Sequence, residues 1–220
     1  MKKIAVILSG SGVFDGSEIR EAVITLLALE RGGASYHCLA PDIEQMHVIN
    51  HLEGAVAENE TRNVLVEAAR IARGDIQNLA HAQVADYDGV ILPGGFGAAK
   101  NLSNFAVKGA ECDIQPDVLR FCREMAAAGK PQAFVCIAPA MIPKIFGPEV
   151  KLTIGNDPGT AEAITSMGGV HVNCPVTEFV VDEEHQIIST PAYMYDESIS
   201  NVATGIEKTV TRLLEMCNAG

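Results

Sequence analysis

Residues 132–140 read Gln132-Ala133-Phe134-Val135-Cys136-Ile137-Ala138-Pro139-Ala140, and they join a short apolar run to a helical pattern. The apolar run predicts a buried strand, and the Gly129-Lys130-Pro131 sequence before it predicts the end of a helix. Pro139 suits the first turn of the following helix, where its missing N–H costs nothing. The stretch therefore predicts a β-strand, a tight turn at Cys136 and a helix, which together form one unit of an α/β fold.

Cys136 is the candidate nucleophile because of this position. Unpaired backbone N–H groups at a helix N-terminus favour a thiolate, and they predict a pKa lower by one or more units than about 8.5. The same N–H groups can hold an oxyanion while the sulfur attacks a carbonyl. The alternative is a buried structural cysteine, the usual role of this residue type. Position alone leaves both interpretations open.

Strand and helix patterns alternate along the rest of the chain. Apolar runs predict strands at 4–9, 35–39, 90–92, immediately before Cys136, and at 152–154, 170–172, 176–181 and 186–190. Apolar residues at helical spacing predict helices from Ser17 to the glycines at 32–33, over 61–73, 118–128, 160–167 and 197–216, and one that ends at Phe146.

Repeated βα units of this kind predict a doubly wound, mostly parallel sheet covered by helices on both faces. The expected fold is thus a three-layer α/β/α, flavodoxin-like architecture, with a small β-hairpin whose tip is the acidic run Asp182-Glu183-Glu184. The sequence contains no internal repeat, low-complexity tract or linker, and one domain over residues 1–220 is expected.

Composition excludes several classes of function. A net charge of −12 argues against a nucleic-acid partner, because no basic patch is available to displace counterions. No run of 18 apolar residues occurs, so a membrane span is not expected. The six cysteines are widely spaced and no pair has C-x-x-C spacing, which argues against a zinc site.

The N-terminus shows no export signal. The apolar run Ile4–Leu8 after two lysines is too short for a signal peptide, and glycines interrupt it at once. A reducing compartment is therefore expected, in which most thiols stay free.

Three suggestive turns follow predicted strands. They cover residues 9–18, residues 93–97 and Cys136 itself. In a parallel sheet, ligands bind beyond the carboxyl ends of the strands, where these turns would meet. Their convergence favours the nucleophilic interpretation of Cys136.

Taken together, these turns resemble the ThiJ/PfpI superfamily of class I glutamine amidotransferase-like folds. Within it the chain is similar to the ElbB family over essentially its whole length. The resemblance is carried by four segments in order, LSGSGVFDGSE (8–18), PGGFGAAKNLSNF (93–105), CIAPAM (136–141) and TPAYM (190–194). It implies a weak, cofactor-free glyoxalase that turns glyoxal into glycolate, a cytoplasmic homodimer and a loose association with isoprenoid biosynthesis.

The chemistry implied by the resemblance assigns roles to particular residues. A Cys136 thiolate would form a hemithioacetal with the aldehyde, and the backbone N–H groups of Ile137 and Gly95 would hold the alkoxide. Glu18 matches the family's acid, which hydrogen-bonds the cysteine and would move protons between the two carbons. Gly94 and Asn101 complete the expected substrate-binding set. A surface position on a helix explains Asn101 and its neighbour Lys100 equally well.

The chain also departs from related enzymes. Phe134 and Ala138 replace the glycines that flank the nucleophile of glutaminases, so glutamine hydrolysis is not expected. None of the six histidines falls at a position that matches a catalytic imidazole, and slow turnover is expected. A nucleotide site at Gly10-Ser11-Gly12 is disfavoured because Asp15, which replaces the third glycine, would repel a pyrophosphate.

Several alternatives stay open at this point. The protein is either an enzyme, acting on small aldehydes or removing aldehyde adducts from proteins, or a non-catalytic redox-responsive or partner-binding module that kept the pocket. Cys112 fits either a resolving thiol or an unreactive loop cysteine. The irregular segment 41–59 fits either a lid or a dimer contact.

Overall fold

Strands and helices alternate along the chain in the computed structural model, which describes residues 1–218. The strands are β1 Lys3–Ile7, β2 Ser35–Ala40, β3 Ile49–Asn50, β4 Ala55–Val56, β5 Ile76–Asn78, β6 Gly89–Leu92, β7 Gln132–Val135, β8 Lys151–Leu152, β9 Val170–His171, β10 Val180–Asp182 and β11 Ile187–Thr190. The helices are α1 Ile19–Arg31, α2 Val64–Ile71, α3 Phe96–Lys100, α4 Phe105–Lys108, α5 Pro116–Ala127, α6 Ile142–Phe146, α7 Pro158–Ser166 and α8 Ile199–Met216. Short 3-10 turns include Ala138–Met141 and Ala192–Met194.

Seven strands form the central sheet, in the order β10-β11-β7-β6-β1-β2-β5. All neighbouring pairs are parallel except β10 with β11, which form the antiparallel edge. The central strands β6 and β7 are buried along their whole length, as expected where helices cover both faces of a parallel sheet. The predicted fold class is confirmed.

The sheet separates two apolar cores. Successive side chains of a strand point to opposite faces of the sheet. In β7, Phe134 therefore faces one core, while Ala133 and Val135 face the other. The first core is completed chiefly by α5, α6 and α7, and the second by α1, α2 and α8. The carboxyl ends of β1, β6 and β7 therefore open at one edge between two layers of helices.

Some elements differ from the sequence-based expectation. The runs at 152–154 and 170–172 form a separate two-stranded parallel sheet of β8 and β9. The run at 176–181 contributes only its last two residues to a strand, in β10. The edge strand β5 was not predicted from the sequence. It reads Ile76-Gln77-Asn78, and two of its three residues are polar, so it lacks the apolar run that marks a buried strand. Segment 41–59 contains the small hairpin of β3 and β4.

Candidate active site

Cys136 lies at the turn between β7 and the 3-10 turn Ala138–Met141. Its backbone has a φ of 63°, in the left-handed region that residues with a side chain rarely adopt, and its N–H donates to the Thr190 carbonyl at 2.9 Å. The residue is only 7% exposed, but it reaches the wall of a cavity of about 410 Å³. The cavity is lined by Val13, Glu18, Gly95, Phe96, Ala99, Phe105, Ala106, Cys136, Ile137, Asp157, Thr160, Tyr193 and Met194.

Two backbone N–H groups point at the sulfur. They belong to Gly95 and Ile137, the two donors expected from the sequence to hold an alkoxide, and both hydrogen-bond Cys136. Gly95 has a φ of 95°, and a Cβ at this position would lie 2.3 Å from the Glu18 nitrogen. Only glycine fits such a turn without displacing the start of α1, so the residue type fixes where this donor points.

A buried carboxyl group completes the surroundings of the sulfur. Glu21, in the first turn of α1, is fully buried and its side chain hydrogen-bonds Cys136. The Gly94 N–H donates to Glu21 Oε2 at 2.9 Å, and the Tyr193 N–H donates to Oε1 at 3.1 Å. Burial raises the pKa of Glu21 to about 8, and the nearby charge of Glu18 acts in the same direction.

The hydrogen bond predicted between Glu18 and Cys136 is made instead by Glu21. Glu18 is the N-cap residue of α1, and its Oε2 accepts the Glu21 N–H at 2.7 Å. Glu18 lines the cavity, but its carboxylate accepts a hydrogen bond from the first turn of α1. Glu21 lies three residues further along, on the face of α1 that packs against the sheet. Glu21 shares the buried face of α1 with four uncharged residues, and an acidic residue on such a face is the sequence signal that could have identified it. The four residues are Ala22, Thr25, Ala28 and Leu29.

The pKa of Cys136 is raised well above its ordinary value, so the expectation of a lowered pKa is wrong. Burial is the largest cause, and the carboxyl of Glu21 adds to it. The N–H groups of Gly95 and Ile137 act in the opposite direction without cancelling burial. Cys136 is therefore a thiol at neutral pH, in contact with the carboxyl group of Glu21.

Gly94 packs directly against the pair of Cys136 and Glu21. A Cβ at Gly94 would lie 2.3 Å from the Cys136 Cβ and 2.7 Å from Glu21 Oε2. Its N–H already holds the same Oε2. Gly94 thus supports the acid, whereas the sequence placed it among the substrate contacts.

Asn101, which was predicted to contact the substrate, is not among the residues that line the cavity. Its side chain is buried, with Nδ2 donating to the carbonyls of Ser9 and Asp15 at 2.9 Å each and Oδ1 accepting from the Met46 N–H at 3.0 Å. These bonds tie the loop after β1 to segment 41–59. Lys100 also bonds this loop, through the Phe14 carbonyl at 2.8 Å.

Segment 41–59 packs on the same loop. The Ile49 N–H donates to Asp15 Oδ2 at 2.7 Å, and His51 Nε2 lies 3.8 Å from Asp15 Oδ1. Cys112 is buried outside the cavity lining, and burial raises its pKa.

Within residues 1–218, no group of three or more His, Cys, Asp or Glu side chains is placed to hold a metal ion. Over the same residues, none of the helices combines the length and apolar character needed to cross a membrane.

No family model matches the chain. The rat mitochondrial ES1 protein homolog is 45% identical over 97% of this chain and 84% of its own length. The human mitochondrial glutamine amidotransferase-like class 1 domain-containing protein 3 is 44% identical over 97% of this chain and 83% of its own length. Both relatives are named as mitochondrial proteins, which contradicts the cytoplasmic location expected from the sequence.

Two solved structures have folds similar to that of this chain. The isoprenoid biosynthesis protein with an amidotransferase-like domain from Ehrlichia chaffeensis is 39% identical, with a TM-score of 0.92 over 98% of this chain and 99% of that one. Glyoxalase III from Candida albicans shares only the fold, at 14% identity and a TM-score of 0.64 over 98% and 97% of the two chains. On the likeness to the rat and human proteins over nearly its whole length, this chain belongs to the family of the ES1 protein homologs and glutamine amidotransferase-like class 1 domain-containing protein 3.

Proposed function

We propose that the protein is a cofactor-free glyoxalase of the ElbB type, which converts small 2-oxoaldehydes such as glyoxal into 2-hydroxy acids. One observation carries the proposal. A thiol at a strand end lies on the wall of a cavity large enough for a small molecule, and it contacts a buried carboxyl group whose pKa is about 8.

The first step is addition of Cys136 to the aldehyde. A bond forms between the sulfur and the carbonyl carbon as the carbonyl π bond breaks, and the thiol proton passes to Glu21. With a pKa of about 8, Glu21 is mostly protonated at neutral pH, so the ionised fraction accepts the proton, and this fraction grows as the pH rises towards 8. The oxyanion that develops accepts hydrogen bonds from the N–H groups of Gly95 and Ile137, which lie beside the sulfur.

The second step moves one proton between the two carbons. Glu21 returns its proton to the alkoxide, and its carboxylate then removes the hydrogen from the carbon bonded to sulfur, so that the electron pair forms an enediolate with the neighbouring carbonyl. Glu21 delivers this proton to the neighbouring carbon, and the hydroxyl proton on the sulfur-bearing carbon passes to the neighbouring oxygen as the thioester carbonyl forms. The product is a thioester of glycolate. Water then attacks the thioester, glycolate leaves and the thiol is restored. Glyoxal and one water give glycolate, with one carbon oxidised and the other reduced, so no external oxidant or reductant is needed.

Slow turnover is part of the proposal. The residues that line the cavity in the described chain include no histidine, so carboxyl groups carry out the proton transfers. Removal of aldehyde adducts from proteins would use the same hemithioacetal and the same residues.

The test is steady-state production of glycolate from glyoxal by the wild type and by Cys136→Ser. We expect production by the wild type and loss of at least about 100-fold in the variant, as for other enzymes that lose a nucleophile. Equal rates in the two proteins would refute the proposal.

A redox-responsive module is the second candidate, and one feature favours it. The N–H groups of Gly95 and Ile137 and the carboxyl of Glu21 surround the sulfur with groups that could also bind the oxygens of a sulfinate. Mass spectrometry after mild peroxide treatment would show two added oxygen atoms on the Cys136 peptide. That result, with no aldehyde consumed, would favour this candidate over the enzyme.

A further inference from the structure

The cavity at Cys136 is large for a two-carbon substrate. Its volume of about 410 Å³ lies in the usual range of sites for small organic molecules, about 300–1,000 Å³. Glyoxal has only four non-hydrogen atoms, and one water occupies roughly 30 Å³ in the liquid, so glyoxal would leave most of the space unfilled. The remaining wall is mostly apolar. Its apolar members are Val13, Phe96, Ala99, Phe105, Ala106, Ile137 and Met194.

The charged side chains on the cavity wall are both acidic. Asp157 is the N-cap residue of α7, and its Oδ2 accepts the Thr160 N–H at 2.8 Å and the Thr160 hydroxyl at 2.7 Å. These hydrogen bonds lower the pKa of Asp157, so it is ionised at neutral pH. Glu18 caps α1 in the same way. Within the described residues, neither carboxylate forms an ion pair with Lys, Arg or His.

Two cations lie close by, but neither lines the cavity. Arg20 donates to the Tyr193 hydroxyl at 3.2 Å and is attracted by Glu18. Like Asp157, it is exposed to solvent, which screens both charges. Lys100 lies 5.5 Å from the centre of the Phe96 ring and donates to a backbone carbonyl. A ligand inside the cavity would therefore meet carboxylates and apolar groups first.

We infer that the cavity takes uncharged carbonyl compounds that carry an apolar substituent, such as aryl 2-oxoaldehydes, and excludes anionic ones, with Glu18 and Asp157 supplying the exclusion. The inference rests on the proposed function because Cys136 is the atom that the ligand must reach. The reaction is unchanged, and only the group attached to the second carbon differs.

The charge preference can be measured without turnover, by alkylation. Iodoacetamide and iodoacetate both lose iodide to the same thiolate, and they differ mainly in charge. Rates at Cys136 are followed by mass spectrometry at mildly alkaline pH and divided by the rates of a free thiol, N-acetylcysteine. Cys136→Ser reports alkylation of the other five cysteines.

The measured quantity is the ratio of the iodoacetamide rate to the iodoacetate rate. We expect this ratio to be about tenfold larger at Cys136 than at the free thiol, because a cleft lined by one sign of charge changes local ion concentrations by this factor or more. Raising the salt concentration should reduce the preference. The same ratio at Cys136 and at the free thiol would overturn the inference.

Isosteric variants assign the preference to residues. Asp157→Asn and Glu18→Gln keep an oxygen that can cap the helix but remove the charge. Each substitution is expected to lower the ratio of the iodoacetamide rate to the iodoacetate rate at Cys136 by about threefold, because each carboxylate contributes part of the total charge effect of the cleft. Glu162→Gln is the matched control, because this exposed residue of α7 lies outside the cavity lining, and its ratio should equal that of the wild type. A wild-type ratio in both cavity variants would overturn the assignment.

Turnover tests the apolar part of the inference. We expect kcat/KM for phenylglyoxal to exceed that for glyoxal by at least about tenfold, since a buried ring adds apolar contact throughout the reaction. 4-Carboxyphenylglyoxal should be a poorer substrate than phenylglyoxal by about tenfold, and Asp157→Asn should recover part of that loss. Equal kcat/KM for glyoxal and phenylglyoxal would overturn this part.

The two proposals fail in different ways. A preserved charge preference in alkylation with no aldehyde consumed would refute the proposed enzyme and support the charge filter. Turnover that depends on Cys136, combined with no charge preference, would refute only the filter. A Cys136 thiol that neither reagent alkylates would refute both.

Discussion

The proposed chemistry at Cys136 depends on the protonation of two buried side chains. Burial raises the pKa of both the thiol and the Glu21 carboxyl, so neither group is readily ionised. The pair titrates as a unit, and a bound carbonyl changes its balance because the sulfur then forms a bond and loses its proton. Glu21 is the residue whose loss this arrangement makes most costly.

Two glutamine variants distinguish Glu21 from Glu18. Glu21→Gln keeps the size of the side chain and removes the proton acceptor, so we expect kcat/KM for glyoxal to fall by about 100-fold or more. Glu18→Gln should change it by less than about fivefold, because Glu18 caps α1 and does not take part in proton transfer. A larger loss in Glu18→Gln than in Glu21→Gln would show that the acid was assigned wrongly. Both rates are compared at saturating and at low glyoxal.

The raised pKa of Glu21 also predicts how stability changes with pH. The folded protein holds this proton up to a pKa of about 8, whereas the unfolded chain releases it near the ordinary value of 4.5. Stability from this group is therefore full below about pH 4.5 and is lost as pH rises towards 8. One proton contributes a slope of at most about 1.4 kcal/mol per pH unit.

Urea unfolding between pH 5 and 8 measures this slope, with Glu21→Gln as the comparison. The free energy of unfolding of the wild type should fall more steeply with pH than that of the variant. Identical slopes would mean that Glu21 is ionised throughout, which would remove it as a proton acceptor of suitable pKa.

The sequence predicted that Cys136, Gly95 and Ile137 come together, but it placed Glu18 rather than Glu21 beside the sulfur. A strand end and a helix start fix where the backbone groups of Cys136, Gly95 and Ile137 lie. Glu21 and Glu18 differ by one helical turn, and only packing decides which carboxyl faces the sheet. The hydrogen bonds of Asn101 likewise go to distant loops that the sequence does not place.

At the scale of elements, the site is made where α1 and the turn between β6 and α3 approach each other. Helix α1 supplies Glu18 as its cap and Glu21 in its first turn. The turn supplies the N–H groups of Gly94 and Gly95, one to the acid and one to the sulfur. Close approach of the two elements is possible only because the turn residues have no side chains.

Gly94→Ala tests this contact. The added Cβ would meet the Cys136 Cβ at 2.3 Å and Glu21 Oε2 at 2.7 Å, so the turn must move away from the acid. We expect activity to fall by about 100-fold, because small misplacements of catalytic groups have effects of this size. The rate of glycolate formation is the measurement.

Gly159→Ala serves as the control for Gly94→Ala. This glycine lies in α7, and the atom nearest to its added Cβ would be 3.7 Å away. Stability should rise slightly, by roughly 0.4–1 kcal/mol, since alanine restricts the unfolded chain more than glycine does. Equal effects of the two substitutions on activity would contradict the proposed role of the β6–α3 turn.

Central elements were easier to predict than edge elements. The buried strands β1, β6 and β7 are marked by continuous apolar runs that are bounded by glycine or proline. The hairpin of β3 and β4 and the strand β5 are short and mostly polar, and their pairing depends on neighbours distant in sequence. Tertiary contacts override local preference in such segments.

At the scale of the whole molecule, one apolar surface has no partner within the described chain. Ile19, Val23 and Leu27 of α1 lie one turn apart and are 48%, 50% and 40% exposed. Exposed stripes of this kind often mark protein contacts. The family resemblance predicted a homodimer, and we propose that this stripe lies in its interface.

Sedimentation equilibrium tests the homodimer. We expect twice the chain mass of 23.3 kDa for the wild type, and a shift towards one chain for Val23→Glu, because the glutamate would be buried without a partner. Val170→Glu changes an equally exposed valine on the separate sheet of β8 and β9 and should leave the mass unchanged. A wild type that sediments as one chain would refute the homodimer.

The φ of 63° at Cys136 affects the choice of an inactive form for comparison. Serine and alanine keep a Cβ in a conformation that costs about 1–2 kcal/mol for L-residues, whereas glycine adopts it freely. A glycine substitution would thus abolish chemistry and relax the chain at once, and it would melt at a higher temperature than its alanine counterpart. A higher melting temperature of the glycine variant would therefore reflect release of backbone strain at residue 136. Serine keeps this strain, so Cys136→Ser is the better inactive control for studies of stabilisation by ligands.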